Sequence, residues 1–376
     1  EGKSAWDIAK FYGDYFVDGL KRLAITEPTY LPKATDHIQE QIELVQKLEE
    51  KGLTYRISDG IYYDTSKFPR YADFAKLDLD EQQAGARVEH NPEKRNPTDF
   101  ALWKFSPAKT TRDMEWDSPW GKGFPGWHLE CSAMSMKYLG ETMDVHAGGI
   151  DHIPVHHTNE IAQSEVVTDK PVAQLWMHTN HITVSGEKVS KSLGNGITLE
   201  DIEAKGYSLT AFRLHILESH YRNQSKFSWE SLEAAQNRLR ELRAFADLRF
   251  QIILGKREPF HAFDKLAGLL LGDMQNDLNS PVLLAELSGL ATLVKDGGFA
   301  NEEESFNGYL EQLDLLFGLQ LTNSEDISQD IKDIISEREK ARKAKDWAAS
   351  DKLRGQLEEQ GIGVRDTQHG PIWCRI

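Results

Sequence analysis

Gly186-Glu187-Lys188-Val189-Ser190-Lys191-Ser192-Leu193-Gly194-Asn195 sets two lysines around a serine in a loop bounded by glycines. Lysines so placed can neutralise phosphate oxygens and stabilise the charge that develops in phosphoryl or nucleotidyl transfer. Composition alone reads the same string as a lysine-rich turn. It is not a Walker loop, because no G-x-x-x-x-G-K-[ST] string occurs in the chain. Upstream stand Gly126-Trp127-His128-Leu129-Glu130-Cys131 and His156-His157-Thr158-Asn159-Glu160. His156 and Glu160 are four apart, so on a helix their side chains share a face and can converge on an ion. Cys131 could add a thiolate, and thiolate, imidazole and carboxylate together suit zinc. Three protein ligands would leave a position for water, substrate or a fourth ligand. The bland alternative is a helix-surface pair beside an ordinary buried cysteine. A third pattern is His146-Ala147-Gly148-Gly149-Ile150-Asp151. Paired glycines admit a ligand close to the backbone, and the following acid could bind ribose hydroxyls. A strand-ending turn explains that pattern equally well.

Elements must hold these residues in place. Asp36, with Gln39 three residues later, predicts a capping box opening a helix whose apolar stripe is Ile38, Ile42, Val45 and Leu48 and whose stop is Gly52. Residues 54–64 alternate around Asp59-Gly60, a hairpin signal. Residues 78–98 are polar and broken by Asn91-Pro92 and Asn96-Pro97, as an irregular surface insertion would be. Apolar residues 100–105 follow, then a Pro/Gly/Trp-rich turn region over 118–127. From Cys131 to Ser192 short apolar and helical segments alternate as in a parallel α/β unit. Beyond Leu199, segments 209–217, 232–250, 263–271, 282–294 and 306–316 carry helical periodicity, which predicts a bundle. Residues 331–360 read as one or two more helices, and 362–365 with 372–374 as a pair of short strands.

The bulk numbers set limits. A chain of 376 residues can bury a sizeable core in two or three domains. No apolar run approaches the ~20 residues that span a bilayer, and two cysteines, Cys131 and Cys374, give no disulfide framework, which fits a reducing compartment. A net charge of −16 argues against a protein that coats nucleic acid generally. The charge is uneven, however. From Lys332 onward there are ten Lys/Arg against eight Asp/Glu, so that tail is +2 and the rest −18. Arg338, Lys340, Arg342, Lys343 and Lys345 form its densest basic cluster, which charge alone reads as a solvated helix face.

The order and joint spacing of the motifs resemble the cysteinyl-tRNA synthetase family closely. Its pattern of G-W-H-x-E-C-S-A-M, H-G-G-G-x-D, P-H-H-x-N-E-I-A-Q-S, W-M-H and K-M-S-K-S-L-G-N is met in turn by residues 126–134, 146–151, 154–164, 176–178 and 188–195. Asn96 to Lys104, His220-Tyr221-Arg222, Arg342 to Ala348 and Asp366 to Trp373 extend the likeness over essentially the whole chain. The resemblance implies an α/β class I synthetase fold: a partial Rossmann-like catalytic domain over 1–225 with a connective insertion at about 36–125 and a lysine loop at 188–192, a helical bundle over 226–325, and a small α+β anticodon-binding module over 326–376. It implies two-step chemistry in which ATP and L-cysteine give cysteinyl-adenylate, and the aminoacyl group passes to tRNA(Cys). By matching position, Cys131, His156 and Glu160 fall on zinc ligands, with one Zn2+ per chain, and Trp127 and His146 line the cysteine pocket. Gly149, Asp151, Lys188, Ser190 and Lys191 would bind ATP, taken with Mg2+, and Lys188 and Lys191 would act in catalysis. Arg342, Asp351 and Asp366 would meet the anticodon. A cytoplasmic, monomeric enzyme without membrane contact is expected.

Four departures from the family pattern stand out. Val189 replaces a methionine, Ala147 replaces the first glycine of the triplet, and the run before the ligands reads Pro154-Val155-His156-His157-Thr158-Asn159-Glu160. The fourth is that the H-x-G-H segment and its zinc cysteine have no counterpart, so the sequence is expected to be part of a longer synthetase. Two other readings compete: a non-catalytic half-synthetase that binds tRNA or zinc, and a related cysteine ligase acting on an amino sugar. The second needs no anticodon module, so the basic tail argues against it.

Overall fold

The computed structural model describes residues 2–77, 91–107, 112–184, 186–189, 194–251, 263–294, 303–367 and 370–376. It divides into two compact units, residues 1–18 with 27–181 and residues 19–26 with 182–376.

Helix α1 (Ala5–Arg22) opens on a reciprocal cap: Ser4 Oγ accepts from the Asp7 amide at 3.1 Å and the Ser4 amide donates to Asp7 Oδ2 at 3.3 Å. Trp6, Phe11, Tyr12, Tyr15 and Phe16 on it are exposed. Helix α2 (Ile38–Glu50) buries Gln41, Ile42, Leu44, Val45 and Leu48, and the chain leaves it through Gly52 in the left-handed region. The predicted start at Asp36 is corrected. Residues Ala34–Asp36 form a short 3-10 turn, His37 takes the cap position without a side-chain bond, and Gln39 donates instead to Glu43 at 3.0 Å. The three residues of tighter turn use up the positions a capping box needed.

That helix packs on an antiparallel sheet of order β1 (Thr54–Ile57), β2 (Gly60–Tyr63), β3 (Phe100–Phe105) and β4 (Gly123–Pro125). The hairpin is as predicted, but the turn is Ser58-Asp59 and Gly60 already pairs with Ile57 in the ladder. Glycine is needed there because a Cβ would overlap the Trp103 carbonyl of the neighbouring strand. Residues 91–98 run as turns up to a buried hub, Asp99. Its Oδ1 accepts from the Thr65 amide and hydroxyl at 2.9 and 2.8 Å, and its Oδ2 from Tyr55 and the Asn96 amide at 2.7 and 2.9 Å. These donors satisfy the buried carboxylate, which pins the insertion to the sheet.

Helix α3 (Trp127–Leu139) then leads to β5 (Met143–Gly149), helix α4 (Thr158–Thr168) and β6 (Ala173–Thr179). Strands β5 and β6 pair in parallel from Met143↔Ala173 to Gly149↔Thr179, with α4 as the crossover, so this is the α/β unit the sequence predicted. Between β5 and α4 lie a 3-10 turn, Ile150–His152, and one wide π-type turn, Ile153–His157.

In the second unit β7 (Ile182–Val184) pairs antiparallel with β8 (Glu187–Lys188) and parallel with β9 (Ser225–Phe227), around α5 (Leu199–Ala204) and α6 (Leu209–Leu217). Sequence periodicity did not show β9, because three residues centred on a lysine are too short to alternate. Helices α7 (Trp229–Ala246), α8 (Phe263–Gln275), α9 (Ser280–Val294) and α10 (Glu303–Phe317) share a core that includes Leu239, Leu242, Phe245, Leu283, Phe306 and Leu313. The tail is α11 (Gln329–Lys343), α12 (Trp347–Glu359) and the hairpin of β10 (Ile362–Thr367) with β11 (Gly370–Arg375), around Ile335, Leu357, Ile362 and Trp373. Gln251 ties the hairpin to the end of the bundle helix, donating to the Trp373 carbonyl at 2.9 Å and accepting from its amide at 2.8 Å. Among the described residues, no helix is long and apolar enough to cross a membrane.

Candidate active site

The carboxyl ends of β5 and β6, the start of α3 and the start of α4 bring the predicted metal ligands together. One donor atom from each of Cys131, His156 and Glu160 lies within 4.8 Å of the others. His156 and Glu160 are buried and Cys131 half-buried. The wide turn sets the adjacent histidines to different tasks. His156 Nε2 faces Glu160 Oε1 at 3.7 Å, while His157 stacks near His146 and Trp176 at ring separations of 4.6 and 5.0 Å. Glu160 is also held from its other side, because His146 Nε2 donates to Oε2 at 2.7 Å.

The proton positions follow from these contacts. His128 Nδ1 and His156 Nδ1 lie 2.9 Å apart, so one carries a proton and the other accepts it. If His156 gives its Nε2 lone pair to an ion, its proton must sit on Nδ1 and His128 accepts. His157 Nδ1 and His178 Nε2 form a second such pair at 2.8 Å. Burial, aided by neighbouring imidazoles, pushes His128 down to about 4 and His157 down to about 3. Burial likewise lowers His156, against the pull of Glu160. Neutral imidazoles are what a metal ligand and a hydrogen-bond relay require. The Cys131 thiol is pushed up to about 12, mainly by burial and further by Glu160 and Glu130. A cation beside it is therefore needed to make it a thiolate. The donor set fits zinc, and the surrounding histidines fit the outer shell of such a site.

Gly148 is the backbone position this cluster depends on. A Cβ there would lie 2.6 Å from His157 Cε1 and 3.0 Å from His152 Nδ1, so the rings press directly on the strand. Trp127, at the first position of α3, is largely exposed and lies over His156 at 4.5 Å between ring centres. It forms an apolar wall over the ligand cluster. Gly149 ends β5, and Asp151 follows in the 3-10 turn, exposed, with Oδ1 3.8 Å from His181 Nε2. Lys188 lies in β8 with its backbone opposite Thr183, while Ser190 and Lys191 lie outside the described residues. In the second unit Arg342 and Asp366 meet, Nη1 to Oδ2 at 3.0 Å, and Asp351 is exposed on the adjoining helix. Sequence reasoning passed over His128, His152, His157 and His178. The available signal was density: six of the chain's thirteen histidines fall between positions 128 and 178.

Two family models match the chain. One, described as the class I (C) tRNA synthetase catalytic domain, covers residues 1–237, and the other, the cysteinyl-tRNA ligase anticodon-binding domain, covers 324–373. Cysteine–tRNA ligase 1 of Burkholderia lata is 41% identical over 375 residues, covering 98% of this chain and 77% of that protein. Cysteine–tRNA ligase of Treponema denticola is 37% identical over 405 residues, covering the whole chain and 81% of that protein. Among solved structures, methionyl-tRNA synthetase of Mycobacterium tuberculosis with methionyl-adenylate matches with a TM-score of 0.55 at 14% identity, covering 85% of this chain and 78% of the other. At that identity the likeness concerns the fold alone.

Proposed function

The chain belongs to the cysteine–tRNA ligase family, and from that premise we propose that it activates L-cysteine with ATP and delivers it to tRNA(Cys). In the first step a cysteine carboxylate oxygen attacks the α-phosphorus of ATP, pyrophosphate leaves, and cysteinyl-adenylate remains. In the second a hydroxyl of the terminal ribose of the tRNA attacks the activated carbonyl and AMP leaves.

The convergence of Cys131, His156 and Glu160 is the observation that supports this substrate best. Zinc held there would lower the pKa of the substrate thiol and take its sulfur as a ligand, which serine's oxygen does poorly. His146 fixes the Glu160 carboxylate, His128 fixes the tautomer of His156, and Trp127 closes the apolar side of the pocket. Gly149 and Asp151 suit the nucleotide side because they stand at the carboxyl end of a parallel strand, where α/β sheets bind ligands. Lys188, Ser190 and Lys191 are assigned to the triphosphate by motif, with Lys188 and Lys191 offsetting charge as pyrophosphate departs. We assign residues 1–225 to catalysis, 226–325 to the bundle and 326–376 to the anticodon. Free thiols at Cys131 and Cys374 suit a reducing cytoplasm, and we take the enzyme as a monomer using Mg2+ with ATP. A match to an anticodon-binding model at 324–373 favours tRNA over an amino sugar as acceptor.

The test is metal and substrate together. The purified protein should hold one equivalent of zinc. Loaded with Co2+ instead, it should show a thiolate-to-cobalt absorption band that Cys131→Ser abolishes. Titration with L-cysteine should alter the cobalt spectrum, whereas L-serine at the same concentration should not. A spectrum indifferent to cysteine would overturn the assignment.

A further inference from the structure

Arg338 is a long cation with no water around it. Its side chain is fully buried, and its guanidinium forks onto one carboxylate, Nη1 to Asp366 Oδ1 at 2.7 Å and Nη2 to Asp366 Oδ2 at 2.8 Å. Among the described residues its Nε is buried without a hydrogen-bond partner, and the head group is held by these two bonds. Burying an ion pair is a poor way to gain stability, because desolvation offsets most of the attraction. A fork is, however, a good way to fix a plane. Each Asp366 oxygen gives one lone pair to Arg338, which leaves the second for another donor, and the carboxylate can no longer rotate about its terminal bond.

The surroundings show which side stays open. Asp366 lies on β10 with about a quarter of its side chain exposed, facing α11 through Arg338 and Arg342 and α12 through Arg354, whose Nη2 is 4.0 Å from Oδ2. Arg342 reaches Oδ2 from the wetter side and also lies over the Trp347 ring at 5.8 Å. Arg338 is on the buried side and Arg342 on the accessible side of one acceptor. An incoming base edge that donates hydrogen bonds, such as an exocyclic amine, can share or displace Arg342 without disturbing Arg338.

We propose that Arg338 is a positioning residue for tRNA recognition, holding the Asp366 carboxylate in the one orientation from which it can read a donor on an unpaired anticodon base. The proposal rests on the reading of Asp366 as an anticodon contact. A well-aligned acceptor of this kind discriminates between bases by about 10- to 100-fold. A carboxylate free to rotate, or held by Arg342 alone, keeps its charge but loses that selectivity. Arg338 therefore sets specificity more than affinity, and Lys cannot replace it, because an ammonium is a point charge without a fork.

The experiment measures binding of the full chain to tRNA(Cys) and to versions with each anticodon base substituted in turn, for Arg338→Gln, Arg338→Lys, Asp366→Asn and the double variant Arg338→Gln/Asp366→Asn, each checked by thermal melting. Both Arg338 variants should lose about 10- to 100-fold of discrimination at one anticodon position, with affinity for the substituted tRNA unchanged. The double variant should be no less selective than Asp366→Asn alone, since both changes act through one contact. Where the Gln variant melts too low to assay, the Lys variant carries the same readout with a buried cation retained. If Asp366→Asn loses selectivity and the Arg338 variants keep it, or if the effects add, the positioning role is wrong. If Asp366→Asn itself leaves selectivity intact, the anticodon reading of Asp366 fails, and the proposal falls with it.

Discussion

His146 shows how much a single hydrogen bond contributes at this site. It shares no ligand position in the proposed zinc set, yet its Nε2–H fixes the carboxylate that does. Removing such an outer partner commonly costs about 10- to 100-fold in metal affinity. His146→Ala should therefore weaken zinc binding by that factor in competition with a chromophoric chelator, while the cobalt–thiolate band of Cys131 persists. An unchanged affinity would mean that His146 serves the substrate alone. At this scale the sequence was legible wherever chemistry depends on spacing. The i, i+4 relation of His156 and Glu160 announces a shared face, and the structure brings Cys131 to it. The histidine relay was not legible. Whether neighbouring imidazoles point the same way depends on the local turn, and the π-type turn that carries His156 and His157 leaves no mark on composition.

At the scale of elements, Gly148 makes a β-strand answer to the candidate metal cluster. A methyl group on it would meet the His157 ring at a distance that real side chains do not show and press tightly on the His152 ring. Gly148→Ala should push His157 aside and lower zinc content, read by metal analysis, with far-ultraviolet dichroism unchanged. Normal zinc stoichiometry in that variant would mean the rings yield. Leu239, on α7, is a contrasting case in which only packing is at stake. It is fully buried in the bundle core, and Leu239→Ala should cost about 2–5 kcal/mol of stability in urea unfolding. The helices were the most legible elements, because apolar stripes such as Leu232, Leu239 and Leu242 repeat at helical spacing whatever their partners. Boundaries were less so. The 3-10 turn before α2 moved its start, and Gly60 belongs to the ladder for the sake of Trp103, a residue 43 positions away in sequence.

For the molecule as a whole, charge connects stability to acidity through the tail. The Arg338 fork, and after it the nearby Arg342 and Arg354, hold Asp366 below the ordinary carboxylate range. A depressed folded pKa adds stability above the unfolded value of about 3.9 and loses it as pH falls through the folded one. The melting-temperature gap between the natural chain and Asp366→Asn should accordingly be widest near neutrality and close below about pH 4. A gap that stayed constant to pH 3 would contradict the ion pair's part in folding. The bundle helices could be read from periodicity and the basic tail from the shift in charge at Lys332, whereas the pairing of Arg338 with Asp366 could not. That contact joins residues on different elements, and charge counts do not say which arginine turns inward.

The wide turn at Ile153–His157 also bears on which changes in chain length the protein can tolerate. Removing one residue there would be absorbed in the turn itself, which would tighten towards an ordinary helix and re-aim His156 and His157. The ligand set would lose its geometry although every ligand remained in the sequence. The residue count between Gly149 and Glu160 is thus as much a functional parameter as any side chain in the interval. A scan of single deletions, more than a scan of substitutions, would trace the outline of the site.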